Sequence, residues 1–115
     1  MSEIQIATQN LPNGITSVVI KGLLDAYTYS QFKQAIDNLF EQNKYKLIVN
    51  MSNVGYISTA GAGVFIGAIG IAKEKEGNIV IIRPNPAVKE VFDILGVSKF
   101  CQITDNMESA LKIFV

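Results

Sequence analysis

Two adjacent hydroxyl residues, Ser58 and Thr59, stand directly before Ala60-Gly61-Ala62-Gly63. The run that follows is apolar and reads as a helix, so both hydroxyls fall at a helix start. Backbone N–H groups without intrahelical partners gather there, with about half a positive charge. A hydroxyl in that place can carry a dianionic phosphate, which the free N–H groups and the dipole accommodate. The same residues also fit a structural role. Ser58 or Thr59 would then be an N-cap, and Gly61 and Gly63 would let the helix lie close to a neighbour.

Other chemistry is sparse. The chain has no histidine, which removes imidazole acid–base catalysis, Ser-His-Asp triads and histidine-containing metal sites. Asp25 is a lone acid in a predicted loop, equally suited to capping and to a contact, and no cluster of acids suggests a metal. Cys101 is the single cysteine; it falls in a predicted strand and reads as a buried, inert thiol. Gly61, Gly63 and Gly67 give G-x-G-x-x-x-G rather than the dinucleotide spacing G-x-G-x-x-G, and no phosphate-binding G-x-x-x-x-G-K-[ST] occurs. No cofactor or metal is called for. Tyr27, Tyr29 and Tyr56 suit either core or rim, with Tyr56, beside the hydroxyl pair, the best contact candidate.

The elements that must position these residues follow from periodicity. Ile4 and Ile6 alternate with polar residues, Leu11-Pro12-Asn13-Gly14 is a turn, and Ile15 to Ile20 is rich in β-formers, which predicts a hairpin. Gly22 to Asp25 reads as a loop. Tyr29 to Asn43 is an amphipathic helix with Phe32, Ala35, Ile36, Leu39 and Phe40 on one stripe, capped by Thr28 or Ser30. Tyr45 to Met51 is a strand covered on both faces. Ser52 to Ile57 reads as a loop, and a helix runs from Thr59 or Ala60 to Glu76, ended by Gly77-Asn78. Ile79 to Ile82 is a further buried strand. Asn85-Pro86 is an N-cap with proline at the first helical position, opening a helix that ends at Leu95-Gly96. Phe100 to Ile103 is a short strand, and Asp105 or Asn106 caps a last helix bearing Met107, Ala110, Leu111 and Phe114. The order β-β-α-β-α-β-α-β-α predicts an α/β fold with about four helices. Its mixed, mostly parallel sheet has an antiparallel N-terminal hairpin at one edge. In such sheets ligands and partners meet the carboxyl ends of the strands, where the Asp25 loop and Ser58-Thr59 belong.

The chain of 115 residues suits one domain, 1–115. It is 49% hydrophobic and 17% charged, which is a globular composition. Ten basic residues balance ten acidic ones, which argues against direct binding of nucleic acid or anionic membrane. The uncharged stretch from Leu47 to Ala72 is broken by Asn50, Ser52, Asn53, Ser58 and Thr59. Its cleanly apolar part, Ala60 to Ala72, falls short of the ~20 residues of a membrane-spanning helix, so no membrane insertion is expected. Met1-Ser2-Glu3-Ile4 shows no basic region followed by an apolar core, hence no signal peptide and a cytoplasmic location by default.

At three places the sequence resembles a STAS domain, in particular the stand-alone bacterial anti-sigma factor antagonists. The phosphoacceptor pattern of that family, roughly D-hydrophobic-S-x-V-x-Y-[IM]-[DS]-[ST]-[AST]-G-L-x-[VT], is matched by Asn50-Met-Ser-Asn-Val-Gly-Tyr-Ile-Ser-Thr-Ala-Gly-Ala-Gly-Val64. Gly22-Leu-Leu-Asp25 and Asn85-Pro-Ala-Val-Lys-Glu-Val-Phe92 match two further elements, in the family's order. Asn50 stands where Asp is usual, Ala62 where Leu is usual, and Thr59 where Ser is more common.

The resemblance implies a non-enzymatic regulatory binding module. Its unmodified form binds an anti-sigma factor that is also a Ser/Thr kinase, releasing a sigma factor; phosphorylation ends the binding and a phosphatase restores it. Thr59 takes the phosphoacceptor position, with Ser58 the runner-up. Asp25, Tyr56, Ile57, Ser58, Thr59, Gly61 and Ala62 are the partner-binding residues so implied. The alternative is a STAS subunit of a lipid-transport ABC system that holds its ATPase subunit without phosphorylation. A small enzyme or nucleotide-binding domain is the third reading, and it lacks the histidine, phosphate loop and acid cluster it needs. Oligomeric state is left open.

Overall fold

Asn13 and Gly14 turn the chain with φ of 67° and 76°, the positive values that an Asn-Gly pair adopts at low cost. They join strand β1, Ile4–Asn10, to β2, Ile15–Leu24, in antiparallel register with Ile4 opposite Gly22 and Asn10 opposite Thr16. The computed structural model describes residues 3–115. The signal-peptide reading falls in part on Met1 and Ser2, which lie outside the described residues.

After the hairpin come α1 (Tyr29–Glu41), β3 (Lys46–Ile57), α2 (Thr59–Glu74), β4 (Asn78–Ile82), α3 (Pro86–Leu95), α4 (Val97–Phe100), β5 (Gln102–Thr104) and α5 (Met107–Ile113). Among the described residues the five strands form one sheet in the order β1-β2-β3-β4-β5. The β2–β3, β3–β4 and β4–β5 pairs are parallel. The predicted mixed sheet with an antiparallel edge is therefore the observed one.

One core lies between the sheet and the helices α1 to α4. Phe32, Phe65 and Phe92 meet there, with ring centroids 5.0 and 5.2 Å apart. A smaller core on the other face packs Ile15, Ile48, Val80 and Ile82 against Ala110 of α5. Leu47, Ile48 and Val49 are thus buried from both sides, as their unbroken apolar run requires. No helix among the described residues is long and apolar enough to cross a membrane.

Four local expectations need correction. Ser52–Ile57 is not a loop but the second half of β3, paired with the far end of β2 through Lys21–Asn53, Gly22–Val54, Leu23–Tyr56 and Leu24–Ile57. Two register shifts, between Val19 and Lys21 and between Gly22 and Leu23, let this irregular stretch pair. Pairing between distant segments overrides a local composition that favours turns. Second, neither Thr28 nor Ser30 caps α1; Thr28 occupies the N-cap place without a side-chain cap bond. Third, Phe100 ends the short helix α4 rather than opening a strand, and buried Cys101 lies between α4 and β5. Fourth, Gly22 to Leu24 is not a loop but the end of β2; with the short helix α4 the described residues hold five α-helices, in line with the expected four or so.

Candidate functional site

The carboxyl ends of β2 and β3 are level. Leu24 pairs with Ile57, and the Ser58 N–H donates to the Leu24 carbonyl at 2.8 Å. Asp25 and Ser58 therefore leave the sheet side by side, one residue beyond a paired position.

Asp25 organises its own loop. Its Oδ1 accepts from the N–H groups of Tyr27 at 2.9 Å and Thr28 at 3.1 Å, while its carbonyl accepts from the Tyr29 N–H at 3.0 Å. The Asp25 N–H donates to Thr28 Oγ1, which in turn donates to the Leu23 carbonyl at 2.6 Å. Asp25 thus supplies acceptors for the donors at the start of α1, and Thr28 is buried as the pin of the loop. This turn pushes Tyr27 outward, where it is 80% exposed.

Ser58 and Thr59 divide the two roles that adjacent hydroxyls can take. Ser58 has the extended backbone of an N-cap, and its Oγ accepts from the Gly61 N–H at 3.2 Å. Its carbonyl accepts the first helical bond, from the Ala62 N–H at 2.9 Å. Thr59 is the first helical residue and is exposed, and its hydroxyl bonds to no group among the described residues. The N–H groups of Thr59 and Ala60 precede the first intrahelical bond and face the same end.

Gly61 sets how deeply this helix start sits. A Cβ there would lie 2.9 Å from Ile57 Cγ1 and 2.9 Å from the Leu24 carbonyl oxygen. Only a glycine allows α2 to approach the strand ends so closely. Asn85 braces the same strand end from α3. Its Oδ1 caps α3 by accepting from the Val88 N–H at 2.8 Å, and its Nδ2 donates to the Val54 carbonyl at 3.2 Å.

The implied contact residues separate by burial. Asp25 is half-buried, Tyr56 is 52% exposed and Thr59 is exposed, so these meet solvent together with partly covered Ser58. Ile57, Gly61 and Ala62 do not. Ile57 and Ala62 belong to the main core, and Gly61 is pressed on the strand ends. Their side of the implied contact set is buried, so they position the site from below it. Two further residues reach the surface here: Leu23, which the sequence alone does not single out, and Tyr27, which it leaves as core or rim. Leu23, paired with Tyr56, is exposed, as is Tyr27 beside Asp25. Reading Gly22–Asp25 as a loop concealed Leu23, because facing can be inferred only along a strand. The Asn85 link to β3 had no signal in the sequence beyond the Asn-Pro cap itself.

The exposed face of α2 continues from Thr59 through Gly63, Ile66, Gly67 and Gly70. Elsewhere, among the described residues, no three His, Cys, Asp or Glu side chains gather as a metal site. Burial raises the Cys101 pKa to about 11, against an opposing pull from Lys73, so this thiol stays protonated at neutral pH.

The sequence pattern of the STAS domain matches residues 7–110. The chain belongs to the STAS domain family. An anti-sigma-B factor antagonist of Staphylococcus epidermidis is 24% identical to this STAS domain over 91 residues, covering 79% of this chain and 84% of that protein. The crystal structure of an anti-sigma factor antagonist from Mycobacterium paratuberculosis superposes with a TM-score of 0.87 at 18% identity, covering 96% of this chain and 93% of that one. The anti-sigma factor antagonist SpoIIAA shares the fold in its unphosphorylated and its phosphorylated form. The unphosphorylated form has a TM-score of 0.82 at 18% identity and covers 96% of each chain. The phosphorylated form, from Bacillus, has a TM-score of 0.75 at 17% identity and covers 96% of this chain and all of that one.

Proposed function

We propose that this STAS domain is an anti-sigma factor antagonist, a non-enzymatic binding module switched by phosphorylation of Thr59. The unmodified protein binds an anti-sigma factor Ser/Thr kinase through Asp25, Tyr27, Leu23, Tyr56 and Thr59, and so releases a sigma factor. The kinase phosphorylates Thr59 and the complex parts; a phosphatase restores the hydroxyl. The relatives' names support the class of partner.

One observation carries the choice of acceptor. The Thr59 hydroxyl is exposed and unengaged at the helix start, whereas the Ser58 hydroxyl is committed to the Gly61 N–H. Modifying Ser58 would sacrifice a cap worth about 1 kcal/mol; modifying Thr59 sacrifices no bond. A phosphate on Thr59 adds about −1.5 to −2 charge next to the strand end from which the Asp25 loop leaves. The free N–H groups of α2 hold it, so the fold persists while a surface matched to a neutral hydroxyl is lost.

The test is to incubate the protein with its candidate kinase and ATP, map the phosphate, and titrate the unmodified and variant proteins against the kinase. Phosphate is expected on Thr59. Thr59→Ala should bind and resist phosphorylation, and Thr59→Glu should bind at least about tenfold more weakly, the scale of a desolvated charge in an interface. Phosphate on Ser58 would move the acceptor by one residue. Equal binding by Thr59→Glu, with no phosphate under any condition, would remove the switch and favour a constitutive subunit such as that of a lipid transporter.

A further inference from the structure

Among the described residues Tyr27 is the most exposed aromatic side chain, at 80%. The backbone that carries it is tied down on both sides. Before it, the Asp25 N–H donates to Thr28 Oγ1 at 3.0 Å, and the Asp25 carbonyl accepts from the Tyr29 N–H at 3.0 Å. After it, buried Thr28 gives its hydroxyl proton to the Leu23 carbonyl at 2.6 Å. At the tip itself, Asp25 Oδ1 accepts from the N–H groups of Tyr27 at 2.9 Å and Thr28 at 3.1 Å. The first of these is the bond of an Asx-turn, in which an aspartate fixes the backbone up to the residue two places on. A tyrosine ring on such a tip gives up only its two side-chain torsions on binding, because its backbone is ordered in advance.

We propose that Asp25 serves the kinase-binding surface as a positioning residue, and that the Tyr27 ring it holds out is the anchor that enters the partner. The inference rests on the reading of the Thr59 surface given above and deepens it. Asp25 is half-buried, and the oxygen that shapes the turn is engaged twice within the loop.

The surroundings favour an aromatic anchor over an ionic contact. A carboxylate contact calls for an arginine or lysine on the kinase. A tyrosine anchor calls for an apolar recess with a polar group at its rim for the phenol. From Leu23 to Tyr29 and from Tyr56 to Thr59, Asp25 is the one ionised residue. Leu23 and Tyr56, paired across β2 and β3, are both exposed at these strand ends. They extend the apolar character of the surface that the recess must match.

Calorimetric titration of the full chain with its anti-sigma factor kinase, in the absence of ATP, tests the division of roles beside amide exchange of the free chain. Tyr27→Ala should weaken binding about thirtyfold or more, the scale of a truncated anchor. Asp25→Ala should weaken it about tenfold, the scale of a side chain left to be ordered on binding, and should speed exchange at the Tyr27 and Thr28 N–H groups. Asp25→Asn drops the charge and keeps the acceptor of the turn. It should recover most of the lost affinity, and the slow exchange with it. Tyr27→Ala combined with Asp25→Ala should bind no more weakly than Tyr27→Ala alone, instead of the about 300-fold loss of two independent contacts. Losses that multiply in the double variant would overturn the proposal. So would Asp25→Asn binding as weakly as Asp25→Ala while its exchange stays slow, the mark of a direct charge contact. Tyr27→Ala binding within about twofold of the unaltered chain, the range of near-neutral rim contacts, would do the same. No binding by the unaltered chain is a different result, which removes the kinase reading and this inference with it.

Discussion

Gly61 and Gly70 share one helix and should respond to the same substitution in opposite ways. Alanine in a helix interior is favoured over glycine by about 1 kcal/mol. At Gly70 a Cβ meets nothing within 4 Å, so Gly70→Ala should raise stability by about 0.5–1 kcal/mol. At Gly61 the new Cβ would press on a backbone oxygen and on Ile57 at 2.9 Å. Overpacking of that kind costs about 1–3 kcal/mol and outweighs the propensity gain. Gly61→Ala should therefore destabilise by about 1–2 kcal/mol. It should also lift the Ser58-Thr59 corner off the strand ends and weaken partner binding. Urea denaturation of the two variants decides it: equal stabilisation would mean that α2 does not need its close approach to Leu24.

At the scale of elements, the strand that carries the site is held from outside itself. The far half of β3 is irregular, and α3 braces it through Asn85 to the carbonyls of Val54 and Gly55, at 3.2 and 3.4 Å. Asn85→Ala should remove the α3 cap and those two donor contacts together. We expect a loss of about 2 kcal/mol, above the ~1 kcal/mol of a cap alone. Amide exchange should quicken at Val54 to Ile57 as well as in the first turn of α3. Exchange confined to α3 would show that β3 stands without the brace. The same stretch marks where the sequence stops being legible. Leu47 to Val49 announced a buried strand, because an unbroken apolar run has few other uses. Ser52 to Ile57 did not, because its polar and glycine residues are turn-formers locally, and only pairing with Lys21 to Leu24 makes them a strand. The Asn85 cap was readable and the α5 cap was narrowed to Asp105 or Asn106, of which Asn106 makes the bond, since a cap is local. The cap of α1 was not, since Asp25 acts from four residues ahead of Tyr29. The strand-end rule and the family resemblance drew Asp25, Tyr56 and Thr59 to one place. Neither could say that Ile57 and Ala62 turn inward, which depends on the layer above them.

At the scale of the molecule, the proposed switch stands outside both cores. Phe32, Phe65 and Phe92 fill one side of the sheet, and Ile48, Val80 and Ala110 the other. Asp25 and Thr59 lie beyond the carboxyl ends of β2 and β3. A phosphate on Thr59 therefore displaces no buried side chain, and it breaks no hydrogen bond among the described residues. It arrives where the dipole of α2 favours an anion, by about 0.3–1 kcal/mol at an exposed site. Binding and folding should thus respond to it separately. The phosphorylated chain should lose its partner and yet unfold at the same urea concentration as the unmodified chain, or at a higher one. Any gain should shrink as salt screens the helix end. Urea denaturation of the two forms in low and high salt decides it. A phosphorylated chain that is markedly less stable would mean that the phosphate loosens the corner above Leu24 and Ile57. The partner would then be released by a change of fold rather than by a change of surface.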